Sequence, residues 1–146
     1  MRSLECRVPP VLLSGVVALR MVLGSGGGEG WPVTALLLTL LGCVFGFGAL
    51  LRFRRHGTSV SPMRPEQATA LVTTGLYGLS RNPMYLGLLC WMMALACYLG
   101  GVWVWIGPLL LWGWLTRFQI VPEERALRAR FGEPYLDYCR RVRRWC

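Results

Sequence analysis

An all-α, polytopic integral membrane protein with about four transmembrane helices is the fold class this sequence predicts. Three observations carry that reading. Hydrophobic residues make up 54% of the 146-residue chain and are gathered into long uninterrupted runs, a composition outside the range of most soluble domains of this size. Its formal net charge of +9 is concentrated between those runs and not spread through them. Glycine and proline clusters punctuate the boundaries, as turns between helices require. The length suits a single domain over residues 1–146, and neither an internal repeat nor a low-complexity tract divides it.

The elements follow in order. Residues 11–23 form a first apolar stretch, preceded by Pro9-Pro10 and interrupted by Arg20. Although the N-terminal arginine and apolar core imitate a signal peptide, no small-x-small cleavage site precedes the next run, so it reads as a retained helix. Residues 24–30 are a glycine-rich turn. Residues 31–51 give about twenty positions without a charge, enough to cross ~30 Å of hydrocarbon. Residues 52–83 form a polar loop with Pro62 and Pro65, in which Ala68-Thr69-Ala70-Leu71-Val72 has a composition suited to packing back on the membrane domain. Residues 84–99 and 102–116, separated by Gly100-Gly101, read as a tight helical hairpin. In the tail 117–146, an amphipathic helix begins near Pro134. It sets Tyr135, Tyr138, Val142 and Trp145 against Arg140, Arg141, Arg143 and Arg144, a pattern suited to an anionic leaflet.

Charge fixes the orientation. Arg52, Arg54, Arg55, Arg64 and Arg81 lie in the loop and eight arginines in the tail, whereas residues 24–30 and 100–101 hold no basic residue. The positive-inside rule then puts loop and tail on the cytoplasmic side of the cell inner membrane. With four spans, both termini are cytoplasmic.

Several chemistries are excluded or disfavoured. The basic side chains other than His56 are all arginine, so no lysine is available for Schiff-base catalysis. With one histidine and six cysteines, none of them in a C-x-x-C pair, no metal site of ordinary spacing is expected. Nucleic acid is not an expected partner, because the arginines lack an aromatic platform or a recognisable binding fold. The bilayer is the expected partner, and nothing in the sequence fixes an oligomeric state.

Two polar clusters border the apolar segments. In the first, Asn82-Pro83 biases residue 82 away from helix and lets Pro83 open the next one, which places Tyr85 and Gly87 near its start. A helix N-terminus with Arg81 beside it suits an anionic group such as a carboxylate. In the second, Glu123 and Glu124 follow Pro122 at an apparent helix start, where Glu124 can pair with Arg128 at i,i+4. The two carboxylates share a membrane face with Arg81, so together they form a clamp for a zwitterion. Tyr77, Tyr85 and Trp114 offer cation–π attraction to a sulfonium. Taken singly, each cluster reads first as an interfacial anchor: a snorkelling arginine, an aromatic belt and a helix cap.

As a set, these motifs resemble the small membrane methyltransferases that include isoprenylcysteine carboxyl methyltransferase and the phospholipid N-methyltransferases. The resemblance runs from Val8-Pro9-Pro10 to Arg144-Trp145 and includes Leu71-Val72-Thr73-Thr74-Gly75, Ser80-Arg81-Asn82-Pro83-Met84-Tyr85-Leu86-Gly87 and the Glu123-Glu124 pair. It implies S-adenosylmethionine bound at the cytoplasmic face. Arg81, Asn82, Pro83, Tyr85, Gly87, Glu123 and Glu124 would contact the cofactor, with Leu71, Val72, Gly75 and Tyr77 near the adenosine. It also implies a lipophilic acceptor, either a prenylated cysteine carboxylate or a phospholipid headgroup. Glu124 is the candidate base and Arg117 the candidate headgroup ligand. The chain departs from the family pattern twice: Leu76-Tyr77-Gly78 stands where Pro then Tyr-Arg is usual, and Asn82 stands where isoprenylcysteine enzymes commonly have histidine. Two other readings share the tail motif or the polar clusters, namely an NADPH-dependent sterol-type membrane reductase and a non-enzymatic small membrane adaptor.

Overall fold

The computed structural model describes residues 8–55 and 71–146. His56, Pro62, Arg64, Pro65 and Ala68 to Ala70 of the polar loop, and Cys6 at the N-terminus, lie outside the described residues. The described residues are helical, with no strand among them. The helices are α1 (Pro10–Leu23), α2 (Pro32–Arg55), α3 (Pro83–Leu99), α4 (Ile106–Trp114), α5 (Val121–Phe131) and α6 (Glu133–Arg141).

Two helical runs are long and apolar enough to cross a bilayer, Pro32–Arg52 and Trp103–Phe131. The other apolar helices, Pro10–Leu23 and Pro83–Leu99, have 14 and 17 residues. At 1.5 Å per residue they cover roughly 21 and 26 Å, short of ~30 Å of hydrocarbon. The structure therefore supplies two full-length candidates where the sequence predicts four spans.

Helix α3 is the centre of the bundle. Apolar on every face, it packs against α1, α2 and α4, and Tyr85, Leu89, Met92 and Ala96 join Met21, Leu111, Leu115 and Ile120 in the main core. Its closest partner is α2. A Cβ on Gly87 would lie 2.7 Å from the Gly46 nitrogen and 2.9 Å from the Gly42 oxygen, so the backbones meet through a Gly42-x-x-x-Gly46 face. At the far end, Gly100 (φ 69°) and Gly101 (φ 83°) turn the chain into a short 3-10 segment and α4.

The sequence predicts a helix start at Pro122, and the structure corrects it. From Ile106 to Phe131 the backbone stays helical, passing through a π-helical stretch, Leu115–Ile120. Pro122 has no N–H and its ring crowds the carbonyl four residues back. The wider π turn accommodates it, with the Val121 N–H reaching five residues back to the Thr116 carbonyl. This run has 29 residues counted from Trp103, about 44 Å of helix, so its charged end extends beyond ~30 Å of hydrocarbon.

A second correction concerns the tail. Helix α6 does present Tyr135 and Tyr138 on one side, but these and the following Val142 are buried within the protein against Leu71, Leu127 and Phe131. Gly132 (φ 58°) reverses the chain after α5 and brings α6 back over it. Helix α6 ends at Arg141, Val142 is extended, and Trp145 packs against the main core.

Candidate functional site

Polar groups from three distant parts of the chain converge at the N-terminal end of α3. A tight turn, Gly75–Gly78, precedes it. Gly75 takes φ +67°, and the Arg52 guanidinium lies where a side chain would grow, 2.8 Å from its Cβ position. Val72 and Tyr77 are buried beside Ala49, with Met84 packed against them, while Leu71 packs on the α6 side.

The turn is zipped to the C-terminal segment. The Tyr138 hydroxyl donates to the Tyr77 carbonyl at 2.7 Å. The Arg81 N–H donates to the Arg143 carbonyl at 3.0 Å, and the Arg144 carbonyl accepts from Asn82 Nδ2 at 2.9 Å and from Ser80 Oγ at 3.3 Å. Asn82 therefore occupies the N-cap position without capping the helix through its side chain. Pro83 follows, buried at the first turn.

The two carboxylates have different surroundings. Glu124 Oε1 accepts from Arg81 Nη2 at 2.8 Å and from Arg144 Nε at 3.0 Å, while its Oε2 accepts from Arg144 Nη2 at 2.6 Å. The i,i+4 partnership with Arg128 expected from the sequence is replaced by these two guanidinia. Glu123 Oε1 accepts instead from the Tyr85 hydroxyl at 2.5 Å and from Gln119 Nε2 at 3.1 Å. Gln119 comes from the π-helical stretch and is fully buried.

These surroundings shape the electrostatics. Burial pushes Glu123 up to about 7, with the charge of Glu124 adding to it, against the lowering hydrogen bonds from Tyr85 and Gln119. The Glu124 hydrogen bond raises Arg144 above the ordinary arginine value. Desolvation raises Tyr77, with smaller contributions from Tyr138 and Glu123. Arg81 Nε is a buried donor without a hydrogen-bond acceptor among the described residues.

The structure thus brings Arg81, Asn82, Tyr85, Glu123 and Glu124 together. Pro83 positions that turn from beneath. Gly87 sits in the seam with α2. Arg117 is exposed, with its guanidinium 5.4 Å from the Phe118 ring centroid. Trp114, expected to offer its ring to a sulfonium, is paired with Phe118 at 5.2 Å. Ser80, Gln119 and Arg144 were not legible as site residues. Arg144 is one of four arginines in the last seven residues, and only the fold separates it from the rest. A cavity of about 300 Å³ opens at the other end of α3, between Trp31, Trp105, Gly100 and Glu29, remote from these carboxylates.

Residues 31–134 match the family model described as phospholipid methyltransferase. The chain belongs to that family. It is 30% identical over 108 residues to protein-S-isoprenylcysteine O-methyltransferase B of Arabidopsis thaliana, covering 73% of this chain and 54% of that protein. A probable protein-S-isoprenylcysteine O-methyltransferase of Oryza sativa subsp. indica is 31% identical over 117 residues, covering 78% and 61% of the two chains. The Schizosaccharomyces pombe protein-S-isoprenylcysteine O-methyltransferase is 26% identical over 113 residues, covering 77% and 48%. The chain spans about half to three fifths of the length of these named relatives. No solved structure matches it significantly.

Proposed function

We propose that this chain is an S-adenosylmethionine-dependent methyltransferase that acts in the membrane on a lipophilic acceptor, a prenylated cysteine carboxylate or a phospholipid headgroup. The observation that carries the proposal is the pairing of opposite chemistries at the base of α3. Glu123, met by neutral donors, suits a cation, and the buried unpartnered Nε of Arg81 suits a carboxylate. That donor set fits the zwitterionic amino-acid part of the cofactor. Val72, Tyr77 and Leu71 supply the apolar wall beside it.

When bound, the cofactor supplies an electrophilic methyl group on a sulfonium. The protein's part is to align and desolvate, and proximity of that kind contributes ~7–11 kcal/mol to lowering such a barrier. Tyr85 and Gln119 orient Glu123 toward the cation. Arg81 orients the carboxylate end, and the docked C-terminal segment covers the turn that holds both. Glu124 is occupied by two guanidinia, so the ammonium group is assigned to Glu123, whose oxygen is met only by neutral donors. Arg117, exposed where the apolar run ends, is assigned to an anionic headgroup.

In the membrane, this reading has α1 to α4 crossing, the short α1 and α3 with the help of local thinning, and both termini in the cytoplasm. Titration of the purified protein with S-adenosylmethionine and with NADPH tests it. Saturable binding of the former alone is expected, and binding of NADPH alone would assign the site to a reductase.

A further inference from the structure

We propose that Arg144 is a positioning residue that holds Glu124 against Arg81, so that the adjacent carboxylates divide their work and Glu123 alone meets a bound cation. The inference rests on the cofactor-site reading above but concerns a residue for which that reading has no chemical role.

The geometry is asymmetric. Both oxygens of Glu124 are taken, by two nitrogens of Arg144 and one of Arg81. Glu123 is met through one oxygen by a phenol and an amide, and no guanidinium pairs with it among the described residues. Two carboxylates side by side in a desolvated place repel, and repulsion drives a proton onto one of them. The guanidinium pair opposes the charge of Glu124, whose remaining repulsion adds to the burial that raises Glu123 to about 7. The charged and titratable groups around Glu123 are Tyr85 and Tyr77 from the α3 side, Glu124 on its own helix, and Arg81 and Arg144 beyond Glu124.

Arg144 acts from the C-terminal segment, and its side-chain and main-chain contacts are separable. Its carbonyl accepts from Asn82 and Ser80 whatever side chain stands there. The Arg143 carbonyl, Tyr138 and Trp145 also hold the segment in place. Replacing the guanidinium therefore changes the charge balance at Glu124 while the segment stays docked.

The test is an infrared titration of the Glu123 carboxyl band in the full chain without ligand, the band being assigned by its loss in Glu123→Gln. Arg144→Ala and Arg144→Gln should move its midpoint upward by about half a pH unit or more, as expected for a lost charge within ~10 Å. Arg144→Lys, which keeps the charge, should restore it. In parallel, Arg144→Ala should weaken S-adenosylmethionine binding at pH 7 at least threefold, with Lys again the closer to wild type. An unmoved midpoint overturns the inference, even if affinity falls, because a merely structural side chain would lower affinity without moving the titration. Absence of a carboxyl band that is lost in Glu123→Gln overturns it too. A shifted midpoint in a protein that binds no S-adenosylmethionine would instead refute the cofactor reading and leave the role of Arg144 standing.

Discussion

Glu123 and Glu124 are adjacent in sequence, yet one is met by neutral donors and the other by two arginines. Their replacements should therefore differ. Glu123→Gln should weaken binding of S-adenosylmethionine by ~1.5–3 kcal/mol, the range of hydrogen bonds to charged groups, as read by calorimetric titration in detergent. The same variant should lose a pH dependence that the wild type has. Because Glu123 must shed its proton to face a cation, wild-type affinity should rise several-fold between pH 6 and 7.5. For stability the sign is opposite: its folded value is raised from 4.5 to about 7, so protonation adds stability that is fully present below pH 4.5 and is lost as pH rises through 7. Thermal midpoints should fall over that window in wild type and less in Glu123→Gln. Arg81→Lys keeps a charge but gives up the planar fork that reaches Glu124 and leaves Nε free for an acceptor. Methyl transfer should drop at least tenfold, measured with labelled S-adenosylmethionine, whereas an interfacial anchor would tolerate the change within about threefold.

Helix by helix, apolar runs were sufficient to read α2, α3, α4 and the glycine turn between the last two, because length and lack of charge are properties of a segment alone. What depended on a partner was not legible. Gly87 belongs to the motif expected to contact a ligand, and what its motif does not show is that it also meets Gly42 and Gly46 on a helix some forty residues earlier. Gly87→Ala should cost about 1–3 kcal/mol by overpacking that seam, seen as a lower unfolding temperature in detergent. Pro122 looked like a boundary because proline usually ends a helix, and the π turn that absorbs it brings Gln119 to Glu123. The amphipathic face of α6 was visible, but an apolar stripe does not say whether lipid or protein covers it. Here Leu71, Leu127 and Phe131 do.

For the molecule as a whole, both polar clusters lie at one end of α3, where contacts between residues about sixty apart bring the middle of the sequence against its C-terminal end. Reporter tags at both termini should therefore read out from the cytoplasm, and a periplasmic signal from the C-terminal tag would separate the site from the side on which the positive-inside rule places it. Family membership makes methyl transfer the expected chemistry, and the base of α3, with its paired cation and carboxylate partners, is the location we propose for it. The most direct measurement is transfer of label from S-adenosylmethionine into the lipid-extractable fraction of membranes holding wild type or Glu123→Gln. Incorporation by the wild type and at least a tenfold loss in the variant are expected, and equal incorporation by the two, or none by the wild type into any extractable acceptor, would contradict the proposed function.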